Sequence, residues 1–295
     1  MASTIRSRRL GGDLRKLREE LGLKDDAVAR AMGFSRSKLN RIELGENKVA
    51  PNDLKALLDH YGLTEPAQRE HFMAAAKDAR KPAGWWQRYL DSLPREYADF
   101  IELEATSSAI QTFQPNLIPG LLQTPAYMRA VIGANPAILP PADIEGLVKI
   151  KQDRQGRLTG DEPPRLWAII GESAVRQRVG GCAVMLEQLR HLEQMATAPH
   201  VTIQVLPHSA GAHAGLAGGF VTFSFPSERE PDIVCVETQT GTLYMDEPGE
   251  RSAYGEIFDH LRAAAKNPAD SLTLIHKVME EIEQTMKQEE GEGSR

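Results

Sequence analysis

A chain of 295 residues, 41% hydrophobic and 26% charged, is long enough for two globular domains with separate cores. It holds no apolar run near the ~20 residues that span a bilayer, which excludes a membrane-spanning helix. Net charge is −6 but unevenly placed: residues 1–80 carry 16 basic against 12 acidic side chains (+4), the remainder 19 against 29 (−10). A basic head on an acidic body suits a protein that touches phosphate with one end only. Cys182 and Cys235 lack the spacing of a metal site, and no apolar stretch follows Arg6, Arg8 and Arg9. The pattern therefore predicts a cytoplasmic, nucleoid-associated protein with no secretory leader, no metal and no cofactor.

Leu10, Leu14, Leu17 and Leu21 recur at intervals of four, three and four, the apolar face of a first helix that Gly22 stops. A second short helix, Asp25 to Met32, buries Val28, Ala29 and Met32 and ends at Gly33. Ser35 is placed to cap a third, Arg36 to Glu43, with Leu39 and Ile42 inward. Gly45 closes it, and Pro51 opens a fourth with the stripe Leu54, Leu57, Leu58 and Tyr61. Helices two and three, joined around Gly33-Phe34-Ser35, have the length and spacing of a helix-turn-helix.

The whole segment from LRKLREELGLKDD through GFSRSKLNRIELGENKVAPNDLKALLDHYG resembles the phage-repressor (Cro/C1, or XRE-type) DNA-binding domain. The resemblance implies that the start of the third helix enters the major groove. Arg36, Ser37 and Asn40 then fall at base-reading positions, and Lys24, Lys38, Arg41 and Lys48 at phosphate contacts. It also implies a buried ion pair between Arg18 and Glu43, structural in role. One position departs from the family: where such repressors commonly start the second helix with a phosphate-clamping Gln, this chain has Asp25, followed by Asp26. A carboxylate there favours the helix but repels a nearby phosphate, so that either Lys24 and backbone N–H groups make the clamp or binding is weaker than the family norm.

Beyond residue 63 the pattern predicts a helix from Thr64-Glu65-Pro66 to about Ala76, then a linker ending at Lys81-Pro82-Ala83-Gly84. The aromatic pair Trp85-Trp86 beside it reads as a docking seam between domains. Pro94 to Ile110 reads as helix, followed by a Pro-rich connector, a helix from Thr124 and another from Pro141 to Leu158. From Arg165 the stretches LWAII, VTIQVLP, GGFVTFSF, DIVCVE and TLYM read as strands, with a helix near Ala183–Ala196 between the first two. Glu172, Arg176 and Arg178 read as a solvated helix face. Helix returns over Glu250–Ala265 and Ser271–Lys287, and QEEGEGSR reads as a disordered tail. The fold class is an all-α helix-turn-helix domain (1–63), a helix and linker (64–83), an α+β domain with a small mixed sheet (84–275) and a terminal helix and tail (276–295).

The blocks GWWQRY, FIELEATSSAIQTFQPNLIPGLLQTPAYMRAV, GESAVRQRVGG, VTIQVLPHSAGAHAGLAGGF and VETQTGTLYMDEP resemble, in order, the C-terminal domain of actinomycete antitoxin-like (WhiJ-like) regulators. That resemblance implies a regulator working with a small co-encoded protein, and brings no catalytic residues with it.

His208, Ser209 and His213 sit in a Gly-rich loop, read first as a strand-to-strand connection whose glycines permit tight backbone packing and second as a candidate sensing loop. Two histidines are too few for a zinc site, no Gly-Lys-Ser/Thr follows for a phosphate loop, and a Ser/His pair needs an orienting acid. The expectation is accordingly no enzyme. The chain is expected to be a homodimeric repressor that binds double-stranded operator DNA and no membrane, controlled by a small partner or ligand. An antitoxin-like protein that neutralises a co-encoded partner and autoregulates is the alternative.

Overall fold

A computed structural model of the chain describes residues 5–80, 93–134, 144–226, 230–239 and 241–293. They form two compact units that divide after Leu103, with Glu230 counted in the first. The Trp85-Trp86 pair and the linker at 81–84 lie outside the described residues.

The first unit contains α1 (Ile5–Glu20), α2 (Asp25–Ala31), α3 (Arg36–Glu43), α4 (Pro51–His60) and α5 (Pro66–Asp78). Helix α1 starts five residues before the leucine stripe, since no helix breaker separates Ile5 from Leu10. Helices this short do not persist alone in water. They are held by a shared core of Leu10, Leu14, Val28, Leu39, Ile42, Leu54, Leu57 and Leu58, each large side chain contributing about 1.5–3 kcal/mol by its burial. Gly22 and Gly33 end α1 and α2 in the left-handed region at φ +66°, as their positions after the apolar stripes predict. Gly45 is more constrained: at φ +67° its missing Cβ would lie 2.4 Å from the backbone nitrogen of Arg8 in α1. Any side chain there would push α1 off the end of α3.

The division falls inside α6 (Arg95–Thr106). The second unit is built on a six-stranded mixed sheet: β1 (Ala109–Gln114), β2 (Arg165–Gly171), β3 (Val201–Leu206), β4 (Phe220–Ser224), β5 (Ile233–Glu237) and β6 (Thr242–Met245), in the order β3-β2-β1-β4-β5-β6. Strands β1, β2 and β3 are parallel; β1–β4, β4–β5 and β5–β6 are antiparallel. Parallel neighbours need long crossovers. These carry α7 (Pro125–Gly133) and α8 (Ile144–Gln155) between β1 and β2, and α9 (Glu172–Arg176) and α10 (Cys182–Met195) between β2 and β3. One face packs Phe113, Ile169, Leu206, Phe220 and Val234 against Phe258 and Leu261 of α11 (Pro248–Ala264). Side chains alternate between faces, so Ala168, Ile170, Ile203 and Val205 point the other way, and they too are buried. Burial on both faces explains why LWAII and VTIQVL are near-continuous apolar runs. The chain ends in α12 (Pro268–Gly293).

Two expectations are corrected. Helix α6 stops at Thr106, and Ala109-Ile110 open strand β1 instead of closing the helix; Ile110 pairs with Leu166 on one side and Phe223 on the other, and that ladder overrides the local apolar pattern. The expected disordered tail is helical as far as Gly293, consistent with the strong helix preference of its Gln and Glu residues. Among the described residues no helix is long and apolar enough to cross a membrane.

Candidate nucleic-acid interface

The turn between α2 and α3 is closed by local bonds that the sequence encodes. The Phe34 N–H donates to the Ala29 carbonyl at 2.8 Å, and the Ser35 hydroxyl accepts the Lys38 N–H at 3.1 Å as the N-cap of α3. Leu39, Ile42 and Glu43 of α3 are buried, which turns Arg36, Ser37, Asn40 and Arg41 outward, and all four are exposed. The buried side is fixed by an ion pair: Arg18 of α1 donates to both carboxylate oxygens of Glu43, at 2.7 and 3.0 Å, and to the Leu23 carbonyl at 2.9 Å. Bidentate pairing of this kind sets the angle of α3 on α1 as well as its distance.

The candidate DNA contacts fall into two groups. Ser37, Asn40, Arg41 and Lys48, with Lys24 at the start of α2, are exposed and carry no side-chain hydrogen bond or ion pair among the described residues. They are free to meet a ligand. Lys38 is engaged within the protein: its Nζ sits 2.8 Å from Asp53 and 3.7 Å over the Phe34 ring. Arg36 is engaged too. Its Nε donates to Asp25 Oδ2 at 2.8 Å, while Asp25 Oδ1 accepts the Asp26 N–H at 2.8 Å. The Arg36 guanidinium, with that backbone N–H, holds the Asp25 carboxyl below the usual carboxylate range. Asp25, read from sequence as a bare charge that repels phosphate, is thus paired with the leading candidate base reader. Nothing in the linear pattern announced this contact, which depends on how the turn folds α3 back beside the start of α2.

In the second unit the three loop residues part company. The His208 ring places Nε2 2.9 Å from the Ser173 hydroxyl, and its backbone N–H donates to Glu172 Oε2 at 2.8 Å. Ser209 is exposed. His213 stands edge-on to Phe113 with ring centroids 5.9 Å apart, and its Nδ1 accepts the Gly215 N–H at 3.2 Å. Glu172 and Arg176, expected as a solvated helix face, are instead tied together at 2.6 Å, and Arg176 reaches Glu281 of α12 at 2.6 Å. Burial alone pushes the Glu172 carboxyl up, but Arg176 and the His208 N–H outweigh it and hold it below the usual range. Among the described residues no group of three metal-ligating side chains converges.

Comparison with known families divides the chain in the same sense. Residues 9–72 match a helix-turn-helix domain, spanning α1 to most of α5. No curated protein matches the chain. Residues 97–277, more than half the chain, match a domain of unknown function, DUF5753, and take in the whole six-stranded sheet. With a helix-turn-helix domain at its N-terminus, the chain belongs to the DUF5753 family.

Proposed function

We propose that this protein is a sequence-specific transcriptional repressor that binds a near-palindromic operator as a homodimer. The exposed row Arg36, Ser37 and Asn40 on α3, backed by the buried Leu39, Ile42 and Glu43, supports this reading most directly. Polar side chains of these types at the start of a recognition helix match base edges in the major groove, with arginine suited to guanine. Lys24, Arg41 and Lys48 supply charge for phosphate oxygens, which positions the helix without reading sequence. One small module makes few contacts, so useful selectivity calls for two copies on one site. The second unit supplies dimerisation and receives the signal, from a small protein or a ligand, in a cytoplasmic, nucleoid-associated setting.

A salt-titrated mobility-shift assay tests the assignment. Arg36→Ala should lose roughly 5- to 150-fold of discrimination at one base position. Lys48→Ala should weaken binding to operator and random DNA alike and lower the salt slope by about 1. Wild-type behaviour of both variants would remove α3 as the reading helix.

The ordered C-terminal resemblance to WhiJ-like antitoxin-like regulators favours a second reading, in which the protein neutralises a co-encoded partner and represses its own operon. Co-purification of a small neighbour-encoded protein that releases the operator would support it.

A further inference from the structure

The parallel half of the sheet brings three chemically complementary side chains to one edge. Gly171 at the end of β2 is aligned with Leu206 at the end of β3. Two residues beyond each lie Ser173 and His208, so the strand register itself sets these two side chains opposite one another. Ser173 Oγ is 2.9 Å from His208 Nε2. On the far side of the imidazole, Glu172 Oε2 is 3.7 Å from His208 Nδ1 and accepts the His208 backbone N–H at 2.8 Å. The other Glu172 oxygen is held by Arg176 at 2.6 Å, and Arg176 is anchored to Glu281. The carboxylate is therefore fixed in position before any ligand arrives. The loop after His208 is clamped as well: a Cβ on Gly215 would lie 2.3 Å from the Phe113 ring, so the loop backbone rests directly on the end of β1. Ser173 and His208 are both exposed. The carboxyl ends of parallel strands are where open α/β sheets place their ligands.

We propose that Ser173, His208 and Glu172 form a nucleophilic site that takes carboxylic esters, separate from the DNA-binding face. A serine hydroxyl is a weak nucleophile until a neighbouring base accepts its proton. Ser173 Oγ attacks the acyl carbon, and its proton passes to His208 Nε2. The bond from the acyl carbon to the alcohol oxygen then breaks, and the alcohol departs with that proton. Water attacks the acyl-serine, giving a proton to His208. The bond from Ser173 Oγ to the acyl carbon breaks, the acid leaves, and the proton returns to Ser173. One ester and one water thus become one acid and one alcohol. Glu172 is a positioning residue: it faces the imidazolium that forms and holds His208 through the backbone N–H. In the sequence Ser209 is the serine adjacent to His208; in the fold both partners come instead from α9, at the end of the neighbouring strand β2.

Labelling of the full-length protein with a fluorophosphonate, followed by peptide mass spectrometry, tests this. The expected result is a single adduct on Ser173 that is absent from heat-unfolded protein. His208→Gln should slow labelling by about 100-fold or more. Glu172→Gln should slow it by a smaller factor, with partial recovery in Glu172→Asp, while hydrogen exchange around α9 stays that of wild type in each. Absence of the adduct in folded protein would overturn the proposal, as would labelling spread over exposed serines or indifferent to His208→Gln. The Ser173–His208 bond would then be a clasp between α9 and the loop after β3.

Discussion

Replacing Arg18 by Ala should strongly destabilise the first unit. The Arg18 and Glu43 side chains are only 9% and 5% exposed. Arg18 makes three hydrogen bonds, two to Glu43 and one to the Leu23 carbonyl that follows α1. Removing the guanidinium leaves the Glu43 carboxylate buried without its counter-charge. Nearby, burial and the Glu43 charge have already pushed the Tyr61 phenol up to about 12, and that hydroxyl has no hydrogen-bond partner among the described residues. Breaking one side of a buried pair costs ~3–5 kcal/mol. Small domains hold ~0.05–0.15 kcal/mol per residue, or about 5–15 kcal/mol for a unit that runs to Leu103, so the loss is a large fraction of the whole. The melting temperature of this unit should fall by roughly 12–40 °C. Hydrogen exchange of the full chain, read on peptides from α1 and α3, isolates the effect from the second unit. The double variant Arg18→Met, Glu43→Leu should recover most of the loss, since an apolar pair of similar volume carries no desolvation cost. A fall below about 4 °C in Arg18→Ala, equivalent to ~1 kcal/mol or less, would refute the reasoning. So would a double variant no better than the single one.

Two further outcomes are expected. Asp25→Asn removes the carboxylate charge that holds Arg36 beside α2; in competition shift assays the ratio of operator to random-DNA affinity should fall by roughly 2- to 10-fold, because arginine reads guanine best when its planar fork is pre-positioned. An unchanged ratio would show that Arg36 does not need Asp25. Lys151 of α8 has its pKa lowered to about 8, by burial first and Arg154 second, against Glu237 and Glu104. Between pH 8 and 10.5 the unfolded chain then binds more protons than the folded one, so stability rises with pH across that window and the penalty is full below it. Lys151→Met should therefore stabilise the second unit by about 1–3 kcal/mol at pH 7, with the gain shrinking above pH 8 and vanishing near 10.5. Denaturation at pH 7 and pH 10 distinguishes this from a pH-independent packing gain.

How far each feature was legible in the sequence follows from the chain separation of the contacts that make it. The helix-turn-helix is a set of local decisions: the leucines of α1, the cap at Ser35 bonding Lys38 three residues on, and left-handed glycines after α1 and α2. Each reports itself within one or two turns, and so the first unit and its exposed row of polar residues could be read directly. The Arg36–Asp25 pair spans eleven residues. Both ends are legible in the sequence, yet their meeting depends on the angle between two helices, which periodicity does not encode. Strand β1 shows the same limit in another form. AIQTFQ follows α6 after only Ser107-Ser108, with no Gly or Pro to mark the change, and its state is decided by strands more than fifty residues away.

The carboxyl-edge cluster lies furthest from what a linear pattern can show. Ser173 and His208 are thirty-five residues apart, with a helix of fourteen residues between them. A one-residue slip of β2 against β3 would send every side chain of the slipped strand to the opposite face and separate the pair. That register is fixed by cores on both faces of the sheet, Ile169 and Leu206 on one and Ile170 and Val205 on the other. The geometry at His208 is thus a consequence of apolar packing some distance below it. A change such as Ile169→Ala, two residues below the end of β2 and without contact to solvent, should loosen the Ser173–His208 approach before it disturbs the helix-turn-helix. Slower fluorophosphonate labelling at unchanged operator affinity is the expected pattern for that variant, and coupled loss of both would show that the two units do not fold independently.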